Sequence, residues 1–165
     1  MTKESYEKIF RQIAAIPNGV QGILVIGKLM TVVTALVYFA ELFAQLFGKQ
    51  WRGLAVLILV PGISFVLVSL FRNLYDAKRP YEVYGFTPLI PKETKGKSFP
   101  SRHVFSIFVI GSSLCWYQPY AGVLVCLMGC LLAACRVVSG VHFPKDVIGG
   151  AIIGILCGCL TGVLL

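Results

Sequence analysis

Both histidines of this chain, His103 and His142, stand in short polar stretches that also hold arginine, serine and aspartate, a combination suited to phosphate chemistry. The stretches run Arg72-x6-Arg79-Pro80, Pro100-Ser101-Arg102-His103 and Arg136-x5-His142-x3-Asp146. Guanidinium groups match phosphate oxygens with paired donors and keep their charge at any working pH, which suits Arg72, Arg79 and Arg136 as an anion clamp. Ser101 stands where a helix N-cap belongs, so its hydroxyl and the free N–H groups of Arg102 and His103 would point at an anion. Phosphoryl transfer without a metal also needs a nucleophile and an acid for the leaving oxygen. His142 lies four residues before Asp146, with Pro144 between them favouring a helix start. The carboxylate can therefore turn back and hold one ring nitrogen while the other faces phosphorus. His103, with no sequence-near carboxylate, is left as the general acid.

Other chemistries fit less well. Two histidines and seven carboxylates, most of them away from the three stretches, do not suggest a metal centre, and no cofactor is expected. The six cysteines, at 115, 126, 130, 135, 157 and 159, lie in or beside apolar runs without CxxC spacing, and read as small packing residues rather than disulfide partners.

The elements that must position these residues are apolar. The chain is 57% hydrophobic and only 13% charged over 165 residues, with a mean hydropathy of +0.82, far beyond a soluble domain. Charges that remain in such a chain mark a pathway or a catalytic centre, because a charge facing lipid is costly. Apolar runs long enough to cross a bilayer recur at roughly 22–47, 53–71, 103–117, 119–138 and 147–165. The expected fold is an all-α, polytopic membrane helical bundle of about five transmembrane helices. The third span is short, and Gln118-Pro119 closes it, so spans three and four form a tight hairpin. Before them, Tyr6, Ile9, Phe10, Ile13 and Ile16 recur at helical spacing among charged residues, which predicts an amphipathic interfacial helix over 1–20. Acidic residues before its short apolar stretch and no small-residue cleavage pattern after it argue against a cleavable signal peptide. Residues 1–165 read as one membrane-embedded domain. The stretch 73–100, rich in Pro, Gly, Tyr and Phe, reads as an irregular loop resting on the interface. With alternating span directions, all three polar stretches reach the same membrane face. Snorkelling basic anchors do not explain two histidines and a carboxylate arriving there together.

These stretches resemble the three signature motifs of the type 2 phosphatidic acid phosphatase superfamily: Lys-x6-Arg-Pro, Pro-Ser-Gly-His and Ser-Arg-x5-His-x3-Asp. Here they appear as Arg72 to Pro80, Pro100 to His103 and Cys135 to Asp146, in the family's order and over roughly half the chain. The resemblance implies a phosphohistidine mechanism. His142 would attack phosphorus, Asp146 support it and His103 protonate the leaving group, while Arg72, Arg79, Ser101, Arg102 and Arg136 bind phosphate and water completes the hydrolysis. Arg72 stands for the family's lysine and keeps the charge; Cys135 replaces a serine. Arg102 replaces a glycine, trading close backbone approach for a guanidinium that could bind a second phosphate or a headgroup. The first motif follows the second span, where the family has it after the third, so the surface helix stands in for one span.

The expected partners are the membrane and a lipid phosphate, and not nucleic acid. Candidate substrates are phosphatidate, phosphatidylglycerophosphate and isoprenyl phosphates or diphosphates such as undecaprenyl diphosphate. A vanadate-dependent haloperoxidase is disfavoured by the spans. A non-catalytic lipid-phosphate binder or transporter is the main alternative, although mere binding would need the arginines and not a supported histidine. Orientation is contested: the active face carries most of the lysines, and the positive-inside rule alone places it in the cytoplasm. The resemblance implies the outer face, and an anionic substrate would itself select positive charge there; the balance favours the outer face. Gly150, Gly154, Gly158 and Gly162 recur every four residues and permit close helix approach, within one chain by preference, with a homodimer as the second option. Glu41, inside span one, needs a partner or a proton, and Lys28 is expected to snorkel toward the active side.

Overall fold

A computed structural model describes residues 1–92 and 94–165. The described residues are helical: α1 (Lys3–Ala14), α2 (Gly19–Phe47), α3 (Trp51–Tyr75), a short α4 (Pro80–Tyr84), α5 (Arg102–Leu114), α6 (Pro119–Val138) and α7 (Pro144–Leu164). Four of them are long and apolar enough to cross a membrane, namely α2, the segment beginning with α3, α6 and α7. The third expected span, α5, has only 13 residues, about 20 Å of helix. It is also the most enclosed helix, burying Val104, Phe105, Ile107, Phe108, Val109, Gly111, Ser112, Ser113 and Leu114. The other apolar helices expose large hydrophobic side chains along their lengths, among them Leu36, Leu67, Leu127 and Leu156. An exposed apolar belt around a buried helix is what a bilayer solvates. Thus α5 is short because α3, α6 and α7 surround it, and it need not meet the full lipid thickness.

Glycine sets how closely α5 is held. A methyl group at Gly154 would lie 2.8 Å from the Phe105 carbonyl oxygen, and one at Gly150 equally near that of Ser101. Gly158 faces Val109 and Ser112, and Gly162 faces Trp116. The four-residue glycine repeat is therefore used inside the chain, as the packing logic of small residues in membranes predicts. Glu41 is likewise satisfied internally: it is buried and accepts a 2.7 Å hydrogen bond from Gln45 Nε2 one turn on. Pro61, inside α3, leaves the Leu57 carbonyl without its helical donor. The Tyr38 hydroxyl supplies one at 2.9 Å, the repair such a helix needs where water is absent.

Two expectations change in detail. The loop 73–100 contains α4 and is pinned along its second half, where Glu82 accepts from the Gly96 and Arg79 amides and Asp76 from that of Lys97. And α1 turns Tyr6, fully buried, toward the protein, against the rings of Phe10, Tyr84, Phe86 and Phe143. Gly140, at φ +76°, has Phe10 and Phe86 packed where a Cβ would sit. The left-handed backbone and the crowding both demand glycine there, and this turn carries His142.

Candidate active site

The C-terminal ends of α3 and α6, the turn before α7, the start of α5 and the loop on either side of α4 converge on one small cavity. It is lined by Arg72, Arg79, Lys92, Arg102, His103, Arg136, Val141 and His142. Seven of these eight side chains can carry positive charge, a lining whose chemistry suits an anion. Its volume is about 30 Å³.

His142 is buried in the turn between α6 and α7. Its Nδ1 lies 3.5 Å from Asp146 Oδ2 and 3.3 Å from Ser98 Oγ. Ser98 in turn donates to Asp146 Oδ2 at 2.5 Å, and the Phe143 amide donates to the same oxygen at 2.9 Å. A carboxylate facing Nδ1 selects the tautomer protonated there and leaves the Nε2 lone pair free. Burial draws the His142 pKa down from 6.5 to about 4, although the Asp146 hydrogen bond acts in the opposite direction. The ring is neutral near pH 7, the state a nitrogen nucleophile requires. Behind it, the Tyr6 hydroxyl donates to the His142 carbonyl at 3.1 Å.

The three clamp arginines are not equivalent. Arg72 donates through Nη1 to the carbonyls of Ser98 and Pro100 and through Nη2 to that of Lys97. Arg79 donates to the carbonyls of Gly96 (2.9 Å), Val141 (3.1 Å) and Lys97 (3.4 Å). A guanidinium has five N–H groups; Arg72 spends about three on the loop, Arg79 two on the loop and one on the α6–α7 turn, and each keeps about two for an anion. They hold residues 96–100 in shape as well as facing the cavity. Arg136 differs, since its Nε is buried and has no partner among the described residues; a charged donor left so is costly unless something satisfies it.

Sequence reasoning placed the second stretch less accurately. Ser101 does occupy the N-cap of α5, but its hydroxyl caps no backbone amide, is buried without a partner among the described residues, and does not line the cavity. Its amide instead donates to the Asp146 carbonyl at 2.9 Å, and its carbonyl accepts from Phe105, so Ser101 ties α5 to α7. Arg102 and His103 line the cavity as expected. His103 also borders two clefts. One, about 390 Å³, lies beside Thr31, Thr34, Phe65, Ser106, Ile107, Ile110 and Leu132. The other, about 300 Å³, runs past Leu24, Lys28, Ile90 and Arg136. Lys28 thus points to the active side.

Three contributors went unseen in the sequence: Ser98, Tyr6 and Lys92. Ser98 sits three residues before a motif residue with no periodicity to mark it. A buried tyrosine hydroxyl needs a partner, so Tyr6 on the apolar face of α1 was the signal that this face meets protein. Lys92 is one lysine among several in its loop.

The chain as a whole is similar to known proteins. Residues 53–164 fit the model of the PAP2 superfamily, and the chain belongs to that family of phosphate-site helical bundles. Among its relatives is YbjG of Escherichia coli K12, a candidate undecaprenyl-diphosphatase by name, 35% identical over 119 residues. That match takes in 67% of this chain and 59% of YbjG, so the chain spans little more than half of that relative's length. Two solved structures superpose over nearly the whole chain. LpxE of Aquifex aeolicus does so with a TM-score of 0.73 and 26% identity, over 97% of this chain and 93% of its own. A transmembrane PAP2-type phosphatidylglycerolphosphate phosphatase of Bacillus subtilis gives 0.70 and 25%, over 98% and 84%. With its apolar helices and these membrane neighbours, the chain is a multi-pass membrane protein.

Proposed function

We propose that this protein is an integral-membrane phosphatase that removes a phosphate from a lipid phosphate or diphosphate, with no metal, through a phosphohistidine. The observation that carries the reading is the position of His103 between the cationic cavity and an apolar cleft of about 390 Å³. An amphiphile with its phosphate among the arginines and its chain in that cleft brings its scissile P–O bond between the two histidines.

In this reading His142 Nε2 attacks phosphorus while Asp146 and Ser98 hold Nδ1. The P–O bond to the leaving group breaks, and His103 gives its proton to the departing oxygen. A water, deprotonated by the now neutral His103, then attacks the phosphohistidine, which releases inorganic phosphate and frees His142. Spare N–H groups of Arg72 and Arg79 and the unpartnered Arg136 stabilise the equatorial oxygens, where charge is concentrated in the transition state. Arg102 and the start of α5 add positive potential, and Ser101 acts through the placement of that helix. The active face is assigned to the outer side, its cations being accounted for by the anionic substrate.

The test is phosphate release from a panel of lipid phosphates by the detergent-purified protein in EDTA, beside His142→Ala. Release that persists in EDTA and disappears in the variant is expected, with a ³²P-labelled, acid-labile, base-stable phosphoenzyme trapped from labelled substrate. Binding without release from any lipid would instead support a lipid-phosphate binder or transporter. That alternative leaves the buried His142–Asp146–Ser98 arrangement without a purpose.

A further inference from the structure

Two apolar clefts border α3, and only one of them leads to the cations. The cleft of about 390 Å³ shares Arg102 and His103 with the catalytic cavity. The other, a trough of about 610 Å³ between α3 and α7, shares no lining residue with that cavity among the described residues, and no charged side chain lines it. Val60, Ser64 and Val68, buried on α3, face it together with Ile153 and Cys157 of α7, while Leu67 and Leu160, which also line it, are exposed. A trough open sideways in the apolar belt is filled by hydrocarbon, because its lining otherwise forfeits its van der Waals contacts.

Its dimensions select the occupant. Along α3 the lining runs from Leu59 to Phe71, about 18 Å of helix at 1.5 Å per residue. Volume over length is a cross-section of about 34 Å², less than half the roughly 80 Å² of even a slim helix with its side chains. A helix of a second copy therefore does not fit inside the trough, whereas extended hydrocarbon does. The substrate's own chain is accounted for elsewhere, since a phosphate among the arginines sends its chain into the cleft beside His103. What remains is lipid that stays in the bilayer. At the upper end of the trough Phe71, Tyr75 and Phe99 pack together with ring centroids 5.5 to 6.4 Å apart, the kind of aromatic group that sits at a membrane interface.

That upper end is also where the trough touches the catalytic residues. Phe99 and Pro100 line it, and the Phe99 ring fills the space that a Cβ at Gly149 would need, so it is wedged against α7. Arg72, next to Phe71 on α3, donates to the carbonyls of Ser98 and Pro100, and the Ser98 hydroxyl meets Asp146 and His142. We infer that the trough between α3 and α7 is a binding site for the hydrocarbon of a bilayer phospholipid, which braces Phe99 and Pro100 and through them Arg72 and Ser98. Lipid that is not substrate thereby acts as an activator. With no charge lining the trough, it is selected by its chain and not by its headgroup.

Native mass spectrometry of the delipidated protein in detergent, mixed with dioleoyl phosphatidylcholine or dioleoyl phosphatidylglycerol, reads the occupancy. Retention of either phospholipid is expected, lost in Cys157→Phe, which fills the trough, and kept in Leu156→Trp, at an exposed position of the same helix outside it. Should melting in detergent show Cys157→Phe to be misfolded, Leu160→Trp, at an exposed position in the trough, carries the comparison. Turnover of p-nitrophenyl phosphate, which has no chain of its own, reads the brace. Adding dioleoyl phosphatidylcholine to the delipidated wild type is expected to raise kcat about 3-fold or more, as better-held catalytic groups do, and the filled variants should no longer respond. Equal retention in wild type and filled variants overturns the site, retention of one headgroup alone overturns selection by the chain, and a wild-type kcat that ignores added lipid overturns the brace. A wild-type dimer that the filled variants dissociate would give the trough to a second copy. A KM for farnesyl phosphate raised only in the filled variants would give it to the substrate's chain, and either result overturns the inference. If the wild type hydrolyses neither compound, the phosphatase reading falls, and lipid retention still decides the trough.

Discussion

The two histidines face the same cavity and differ in how their rings are held. His142 is buried, and its ring, its carbonyl and its neighbouring carboxylate are each held, by Asp146, Ser98, Tyr6 and the Phe143 amide. His103 stands at the start of α5 and opens on three cavities, and no carboxylate pairs with it among the described residues. In the proposed mechanism His142 is the nucleophile, which must be aimed and kept neutral, and its burial suits that role. A group that serves whatever leaves is better placed where leaving groups pass.

That contrast predicts unequal losses. His142→Ala is expected to abolish turnover, and Asp146→Asn to lower kcat by about 10³-fold, since an amide can hold the ring in the wrong tautomer. His103→Ala is expected to cost about 10²- to 10⁴-fold on a lipid substrate, but far less on p-nitrophenyl phosphate, whose leaving group departs without a proton. Stopped-flow or steady-state rates on both substrates check this. If the activated ester rescues His142→Ala and not His103→Ala, the two roles are exchanged.

The pH dependence sharpens the same comparison. Burial lowers the His142 pKa to about 4 against the pull of Asp146, with Arg79 and Arg72 adding to the depression. The attacking ring therefore stays neutral well below pH 6.5, and the acid limb of kcat/KM attributable to it should fall near 4. Asp146→Asn removes the influence that raises this pKa, so the limb should move further down. Stability follows the same sign: between 6.5 and about 4 the unfolded chain binds a proton that the folded chain refuses, so the fold loses stability as pH falls through that window. A kcat/KM profile with an acid limb at 6.5 that does not move in Asp146→Asn would break the assignment of an enclosed neutral nucleophile.

Ser98→Ala comes next in size. Its hydroxyl bridges Asp146 Oδ2 and His142 Nδ1, and removing a donor to a buried carboxylate costs about 1.5–3 kcal/mol, or roughly 10- to 100-fold if it is all felt in kcat. Asp146 already has one unpartnered oxygen, Oδ1, so the second loss is poorly tolerated. A normal kcat in Ser98→Ala would show that Asp146 alone orients the ring.

How much of this was legible in the sequence follows the range of the interactions. The apolar helices announced themselves by composition, and the i, i+4 relation of His142 to Asp146 was readable because both lie on one turn. The glycine repeat on α7 correctly foretold a close helix, for a similar reason: its period is local. Ser101 takes the N-cap position that was expected, but that position fixes the backbone and not the direction of the hydroxyl, and the residue does not line the cavity. The double duty of Arg72 and Arg79 was hidden because their partners are backbone carbonyls at 96–100 and 141, which any sequence would offer. Lys92 reaches the site only through the path of a loop, and no spacing encodes that path.

Tyr6 gives the smallest predicted effect and the test of how far the enclosure of His142 extends. The helix carrying it meets the catalytic turn through one hydrogen bond to the His142 carbonyl and through rings packed on Gly140. Tyr6→Phe keeps the ring and deletes the bond, which should lower stability by about 0.5–1.5 kcal/mol and reduce kcat a few-fold with KM unchanged. A purely structural tyrosine would lower the melting temperature and leave the pH profile alone. A positioning tyrosine would also shift the acid limb of kcat/KM, because a looser turn admits water to the His142 ring and weakens the burial that depresses its pKa. An upward shift of that limb in Tyr6→Phe, beside an unchanged profile in a stability-matched variant elsewhere on α1, would make the N-terminal helix part of the nucleophile's enclosure.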